Sequence, residues 1–179
     1  MKFKNVISLC KKRKTVNIVS DEERGGWWCG TDEAIYPMHS IPYLETDCIR
    51  AVFDISESDA DKWVITSYYN TEYDFSDTVK AEKEIAGSDI PFTINYKGKA
   101  YRLLKGADKI YLIDSSVFRP IDKSAYIKIF ERESSDGKTY LAVKDGMKLV
   151  AIFTSFAFTK KDALDGAVSS IINAFMEKR

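Results

Sequence analysis

The chain has 179 residues, 45% of them hydrophobic and 30% charged, with 27 Lys and Arg against 27 Asp and Glu. Those values exclude a largely disordered or collagen-like chain, argue against a uniformly basic non-specific nucleic-acid binder, and leave a globular chain long enough to bury a core without staples. The charge is unevenly placed: residues 1–30 are rich in Lys and Arg, whereas residues 47–90 hold eleven acids against Arg50, Lys62, Lys80 and Lys83.

Phe3, Val6, Ile7 and Cys10 recur at i, i+3, i+4 and i+7, which predicts a short helix over residues 3–13 with Lys4, Lys11 and Lys12 away from its apolar face. Val16 and Ile18 alternate with polar neighbours, Gly25-Gly26 supplies a turn, and Trp27 to Thr31 reads as the returning strand of a hairpin. A turn at Thr31-Asp32-Glu33 leads into a third short strand, Ala34 to Tyr36, closed by Pro37. Leu44, Cys48, Ile49, Val52 and Ile55 fit a helical stripe, and residues 62–69 read as a strand. Residues 70–89 are acidic and weakly periodic, and they are expected to form a long mobile loop.

The second half carries clearer punctuation. A hairpin is predicted around Lys97-Gly98, a strand over residues 110–113, and a capped helical turn from Asp114 that Pro120 stops. Three strands follow at residues 126–132, 139–144 and 148–156, separated by Ser135-Asp136-Gly137 and Asp145-Gly146. Ala163, Leu164, Ala167, Val168, Ile171, Ile172, Phe175 and Met176 form the apolar stripe of a predicted C-terminal amphipathic helix.

These elements predict an α+β fold of mostly antiparallel sheet with a short N-terminal, a central and a C-terminal helix. They form a single domain over residues 1–179, or two sub-units, 1–69 and 90–179, joined by the acidic loop 70–89. The order of short helix followed by three strands occurs over residues 3–37 and again over residues 114–156.

Cys10, Cys29 and Cys48 are widely spaced with no CxxC pair, so neither a disulfide framework nor a zinc site is read from them, and a reduced, cytoplasmic setting is expected. The start MKFKNVISLCKKRK lacks the cleavage pattern of a signal peptide, and no apolar run approaches the length that spans a bilayer. No cofactor is implied, since no glycine pattern forms a phosphate-binding loop, and the acids at Asp21, Glu22, Glu23, Asp32 and Glu33 lack the alternating spacing of a calcium loop. Lys4, Lys11, Lys12, Arg13 and Lys14 are candidate nucleic-acid contacts, and Trp27 and Trp28 are candidate stacking surfaces beside them, because single strands are held by basic grooves and aromatic rings. The same basic run also complements the negative end of a helix dipole. A small hydrolase or transferase would instead need Cys29 or His39 to converge with Asp32.

Cys10 to Thr15, Gly25-Gly26-Trp27, Tyr36 to Leu44, Val52 to Ile55 and the strands from Lys138 to Phe156 resemble a family of uncharacterised proteins encoded by prophages and mobile elements of gut Firmicutes. The repeated helix-and-strands order is also similar to the half-domains of DNA sliding clamps. The family likeness carries no known activity, and the clamp likeness implies duplex DNA as a partner. With ten Tyr, ten Phe and three Trp available for a protein interface, the expectation is a non-enzymatic binding or accessory protein whose partner is duplex DNA, a second copy of the chain, or a host or phage protein, and no membrane.

Overall fold

The computed structural model describes residues 2–21, 25–69, 71–85, 89–96, 98–106, 110–121, 126–154 and 156–158. The predicted C-terminal helix lies outside the described residues. The fold is α+β and strand-rich. The first helix, α1 (Phe3–Arg13), is followed by β1 (Thr15–Asp21), β2 (Gly26–Thr31) and β3 (Ala34–Pro37). Then come α2 (Thr46–Val52), a 3₁₀ turn (Glu57–Lys62) and β4 (Val64–Tyr68). The second half contains β5 (Lys83–Glu84), β6 (Asp89–Tyr96), β7 (Lys99–Lys105), β8 (Ile110–Asp114) and a second 3₁₀ turn (Ser115–Phe118). It ends in β9 (Ile127–Glu133), β10 (Thr139–Asp145), β11 (Lys148–Phe153) and β12 (Phe156–Phe158).

Eight strands form one sheet in the order β4-β1-β2-β3-β11-β10-β9-β5, and four form a second in the order β12-β8-β7-β6. The middle of the large sheet reads as a palindrome, with two antiparallel meanders, β1-β2-β3 and β9-β10-β11, meeting where Ile35 pairs with Ile152 and Ala34 with Phe153. In chain order the 3₁₀ turn Ser115–Phe118 precedes β9-β10-β11 as α1 precedes β1-β2-β3, but α1 packs on its own meander and the 3₁₀ turn packs on β7 and β8 of the small sheet. Among the described residues one pairing is parallel, between β1 and β4.

Strand alternation gives the large sheet two faces. Val16, Ile18, Trp27, Cys29, Tyr36, Leu141, Val143 and Phe153 belong to one buried cluster, together with Val6, Leu9 and Cys10 of α1 and Leu104, Tyr111 and Ile113 of the small sheet. Val19, Trp28, Ile35, Tyr140, Ala142 and Ile152 form a second cluster on the other face, against Tyr73, Phe75 and Phe130. A bulge between Val143 and Lys144 drops Val150 from the register and turns Leu149 onto this second face.

Two expectations are corrected. The predicted last strand, 148–156, is two strands: β11 ends at Phe153, and β12 crosses to the small sheet, where Phe156 pairs with Leu112. The acidic segment after β4 is not a free loop, because Tyr73 and Phe75 sit on the second face of the large sheet. Acidity and weak periodicity point to a mobile loop, whereas the two aromatic rings supply apolar area worth burying.

Gly30 in β2 has a packing reason for lacking a side chain. A Cβ there would lie 2.0 Å from the Ala34 carbonyl oxygen and 2.8 Å from the Ile35 Cα, both backbone atoms that cannot swing away. The Gly30 carbonyl also accepts a hydrogen bond from the Cys10 thiol at 3.3 Å, so α1 is seated at this point of close approach. Gly30→Ala is expected to lower stability by about 3 kcal/mol through overpacking, read as a fall in the urea midpoint.

Candidate functional site

The basic run of α1 divides between two environments. Val6, Leu9 and Cys10 are buried, and Arg13 follows them at i+7, i+4 and i+3, so the helix carries it inward too. Its guanidinium lies between Glu33, at 2.7 Å, and Asp114, and its side chain is 15% exposed. Glu33 also accepts from Lys99 at 2.9 Å, which joins α1, the β2–β3 turn and the small sheet in one ion-pair network. Burial raises the Asp114 carboxyl, but hydrogen bonds from Ser116 and the charge of Arg13 outweigh it and hold Asp114 below the usual aspartate range. Arg13 is thus a structural ion-pair partner, in contrast to the expected phosphate contact.

Lys4, Ser8, Lys11 and Lys12 occupy the opposite stripe of α1, and all are exposed. Lys14, also exposed, ends the helix in the left-handed conformation, φ 54° and ψ 34°. Lys11 pairs with Asp54 at 3.4 Å, and Lys14 lies close enough to Asp59 to add to the effect of Lys62 in holding that carboxyl below its ordinary range. The solvent face of α1 is a lysine stripe bordered by acids from the segment around α2.

The two tryptophans do not form a surface. Trp27 is 4% exposed and Trp28 3%. Adjacent strand residues point to opposite sides of a sheet, so the rings fall on different faces and cannot share a stacking platform. Trp27 donates its indole N–H to the Ile41 carbonyl at 2.7 Å and meets Tyr43 edge-on. Trp28 stacks on Phe75 with centroids 4.6 Å apart.

Cys29, His39 and Asp32 are not brought together. Cys29 is fully buried on the α1 side of the sheet, where its thiol faces Cys10. Asp32 accepts from the Asn17 amide at 2.6 Å on the other side. His39 lies in the exposed segment after β3, where burial and Lys148 hold its imidazole below the ordinary histidine value against the pull of Asp77 and Asp21. Among the described residues no three His, Cys, Asp or Glu side chains stand grouped to hold a metal ion, and no helix is long and apolar enough to cross a membrane.

The strongest polar cluster, which sequence reasoning missed, fastens residues 71–84 across the second face as a strap. Glu82 accepts from Arg132 through Nη2 at 2.6 Å and Nε at 2.9 Å, while Lys144 binds its other oxygen. The Arg132 and Lys144 side chains are 1% and 5% exposed. Arg132 also donates to the carbonyls of Asp74 and Ser76 at 3.1 and 2.8 Å, and the Leu149 amide donates to Asp77 at 2.8 Å. Strand parity held the clue: Arg132 pairs with Tyr140 in the β9–β10 register, and Lys144 lies at i+4 from Tyr140 along β10. Both cations therefore point to the face that Tyr140 buries.

Comparison of the chain with protein-family models, curated proteins and solved structures returned no match.

Burial raises the Glu82 pKa, but the hydrogen bonds and charges of Lys144 and Arg132 outweigh it and hold the carboxyl below the ordinary glutamate range. A folded value below the unfolded one means that the strap's stabilisation is complete above about pH 4.3 and disappears as pH falls through the lowered folded value. Acidification is expected to lower the protection of the amides of Leu149 and Ser135, taken as exchange rate relative to the intrinsic rate at each pH; the Ser135 amide donates to the Glu72 carbonyl at 3.0 Å. Glu82→Gln, which leaves two buried cations without their anion, is expected to give the same change at neutral pH and to cost about 3 kcal/mol. Hydrogen exchange followed by NMR checks both.

Proposed function

We propose that this chain is a non-enzymatic accessory module of a phage or mobile element that presents the outer stripe of α1 to duplex DNA, as one subunit of a clamp-like ring. The observation that carries this reading is the segregation within α1. Lys4, Lys11 and Lys12 stay on one exposed stripe, while Val6, Leu9, Cys10 and Arg13 anchor the opposite side. A helix fastened along its length holds its lysines in fixed relative positions, which suits contact with regularly spaced phosphates. The palindromic order of the two meanders supports the clamp-like form. Asp54, paired with Lys11, moderates the stripe, so weak salt-sensitive contact fits the electrostatics better than tight binding.

Replacing Lys4, Lys11 and Lys12 together with Glu is expected to abolish binding to a labelled duplex, measured by fluorescence anisotropy across a salt series. If each lysine neutralises one phosphate, milder Lys→Gln replacement of all three flattens the log affinity against log salt slope by about 2 to 3 units. Asp54→Asn is expected to strengthen binding. Unchanged binding in the triple Glu variant removes α1 from the interaction.

The ring requires closure, so light scattering over a range of concentrations is expected to give a discrete dimer, trimer or larger closed species. A monomer at every concentration rejects the ring and leaves a monovalent binding module.

A further inference from the structure

The strap and the large sheet enclose a pocket of about 540 Å³ on the face opposite α1. That size suits a small organic ligand. Its floor is apolar, made by Ile35 and Ile152, which are 6% and 1% exposed. Its polar wall comes from Asn17 and Asp32, with Glu72 contributed by the strap. Two rings, Tyr68 from the edge strand β4 and Tyr73 from the strap, complete the lining.

The wall is held in place before any ligand arrives. Asn17, 7% exposed in the middle of β1, fixes Asp32 through its amide at 2.6 Å, and Thr154 donates its hydroxyl to the Asp32 carbonyl at 2.5 Å. An ionised carboxylate offers about four lone-pair sites, so one amide donor does not saturate Asp32. Among the described residues, no Lys, Arg or His lines the pocket. Lys138 stands 3.9 Å from Glu72 and offsets its charge, so the negative potential that repels anions and attracts cations rests on Asp32, and tyrosine faces add attraction for a cation that sheds water.

We propose that this pocket binds a small organic cation, an ammonium group on a short apolar body, with the charge between Asp32 and the tyrosine rings and the body against Ile35 and Ile152. The site is independent of the α1 stripe, since the two lie on opposite faces of the sheet.

The experiment titrates choline, cadaverine and dimethylbutanol, the neutral carbon isostere of choline, into the full chain, with calorimetry and amide chemical shifts as readouts. At least one of the two cations is expected to saturate and to shift the resonances of Asn17, Asp32, Tyr68 and Tyr73. Dimethylbutanol is expected to bind at least about tenfold more weakly than the cation that binds. Asp32→Asn is expected to weaken that cation by about tenfold or more. Because Asp32 also braces the β2–β3 turn, Tyr68→Ala serves as the second variant; the residue is 42% exposed, and removal of its ring is expected to weaken binding while the thermal midpoint stays unchanged. The Lys4, Lys11 and Lys12 triple Glu variant is expected to bind the cation normally. Equal binding of the neutral isostere overturns the proposal, as do shifts confined to residues outside the pocket, no shift with either cation, or full affinity in a folded Tyr68→Ala variant.

Discussion

Two residue pairs, Ile35 with Ile152 and Ala34 with Phe153, join the halves of this chain into one sheet. Without that seam, β1-β2-β3 and β9-β10-β11 would be separate three-stranded meanders, each with an extra edge to protect. With it, the chain has one wide sheet whose two faces both need cover. The first face is covered by α1, α2 and the small sheet, which share a cluster with Tyr36 and Phe153 on either side of the seam. The second is covered by the strap, whose Tyr73 and Phe75 pack against residues of both meanders. Gly30, one strand from the seam, lets β2 and β3 approach where any larger residue would separate them.

The two covers are fastened by different physics. α1 is seated mainly by apolar contact, with the ion pairs of Arg13 at its end. The strap has fewer apolar residues and leans on Arg132, Lys144 and Glu82. Buried ion pairs of this kind add little net stability compared with a well-packed apolar alternative, because desolvation offsets most of the attraction. They are demanding in geometry, however, since a strap shifted by one residue would strand both cations. The cluster therefore sets the strap's register more than it strengthens the fold. That register carries Thr71, Glu72 and Tyr73 to their places beside Asn17 and Asp32.

The result is a molecule with chemically opposite features on its two sides. Lysines of α1 face outward on one, and a pocket walled by carboxylates and tyrosines opens on the other. The full cancellation of charge in the composition, 27 basic against 27 acidic residues, hides this polarity, because sums over a chain say nothing about which face a residue reaches. The Arg13, Glu33, Asp114 and Lys99 network lies on the α1 side and ties the first meander to the small sheet. Its charges are consumed within the structure, so the outward basic character of α1 rests on lysines alone.

The sequence by itself determined the local elements. The i, i+3, i+4, i+7 pattern from Phe3 located α1, and Gly25-Gly26, Lys97-Gly98, Asp136-Gly137 and Asp145-Gly146 marked turns between strands. These signals are legible because helix periodicity and turn chemistry depend on neighbours a few residues apart. Even the burial of Arg13 was readable, since it continues the stripe of Val6, Leu9 and Cys10, although its basic neighbours drew attention outward. Only the tertiary structure decided that Trp27 and Trp28 serve different cores, that β4 lies parallel to β1, and that β12 leaves one sheet for the other. It alone showed the acidic segment as a strap and placed Asn17, Asp32 and Tyr73 around one pocket. Those outcomes depend on partners far apart in the chain: Glu82 meets Arg132 across 50 residues, and Tyr140 meets Asp74 across 66. Residue type and spacing carry no record of such pairings, because a strand's hydrogen-bonding edge is the same backbone whatever comes to lie beside it.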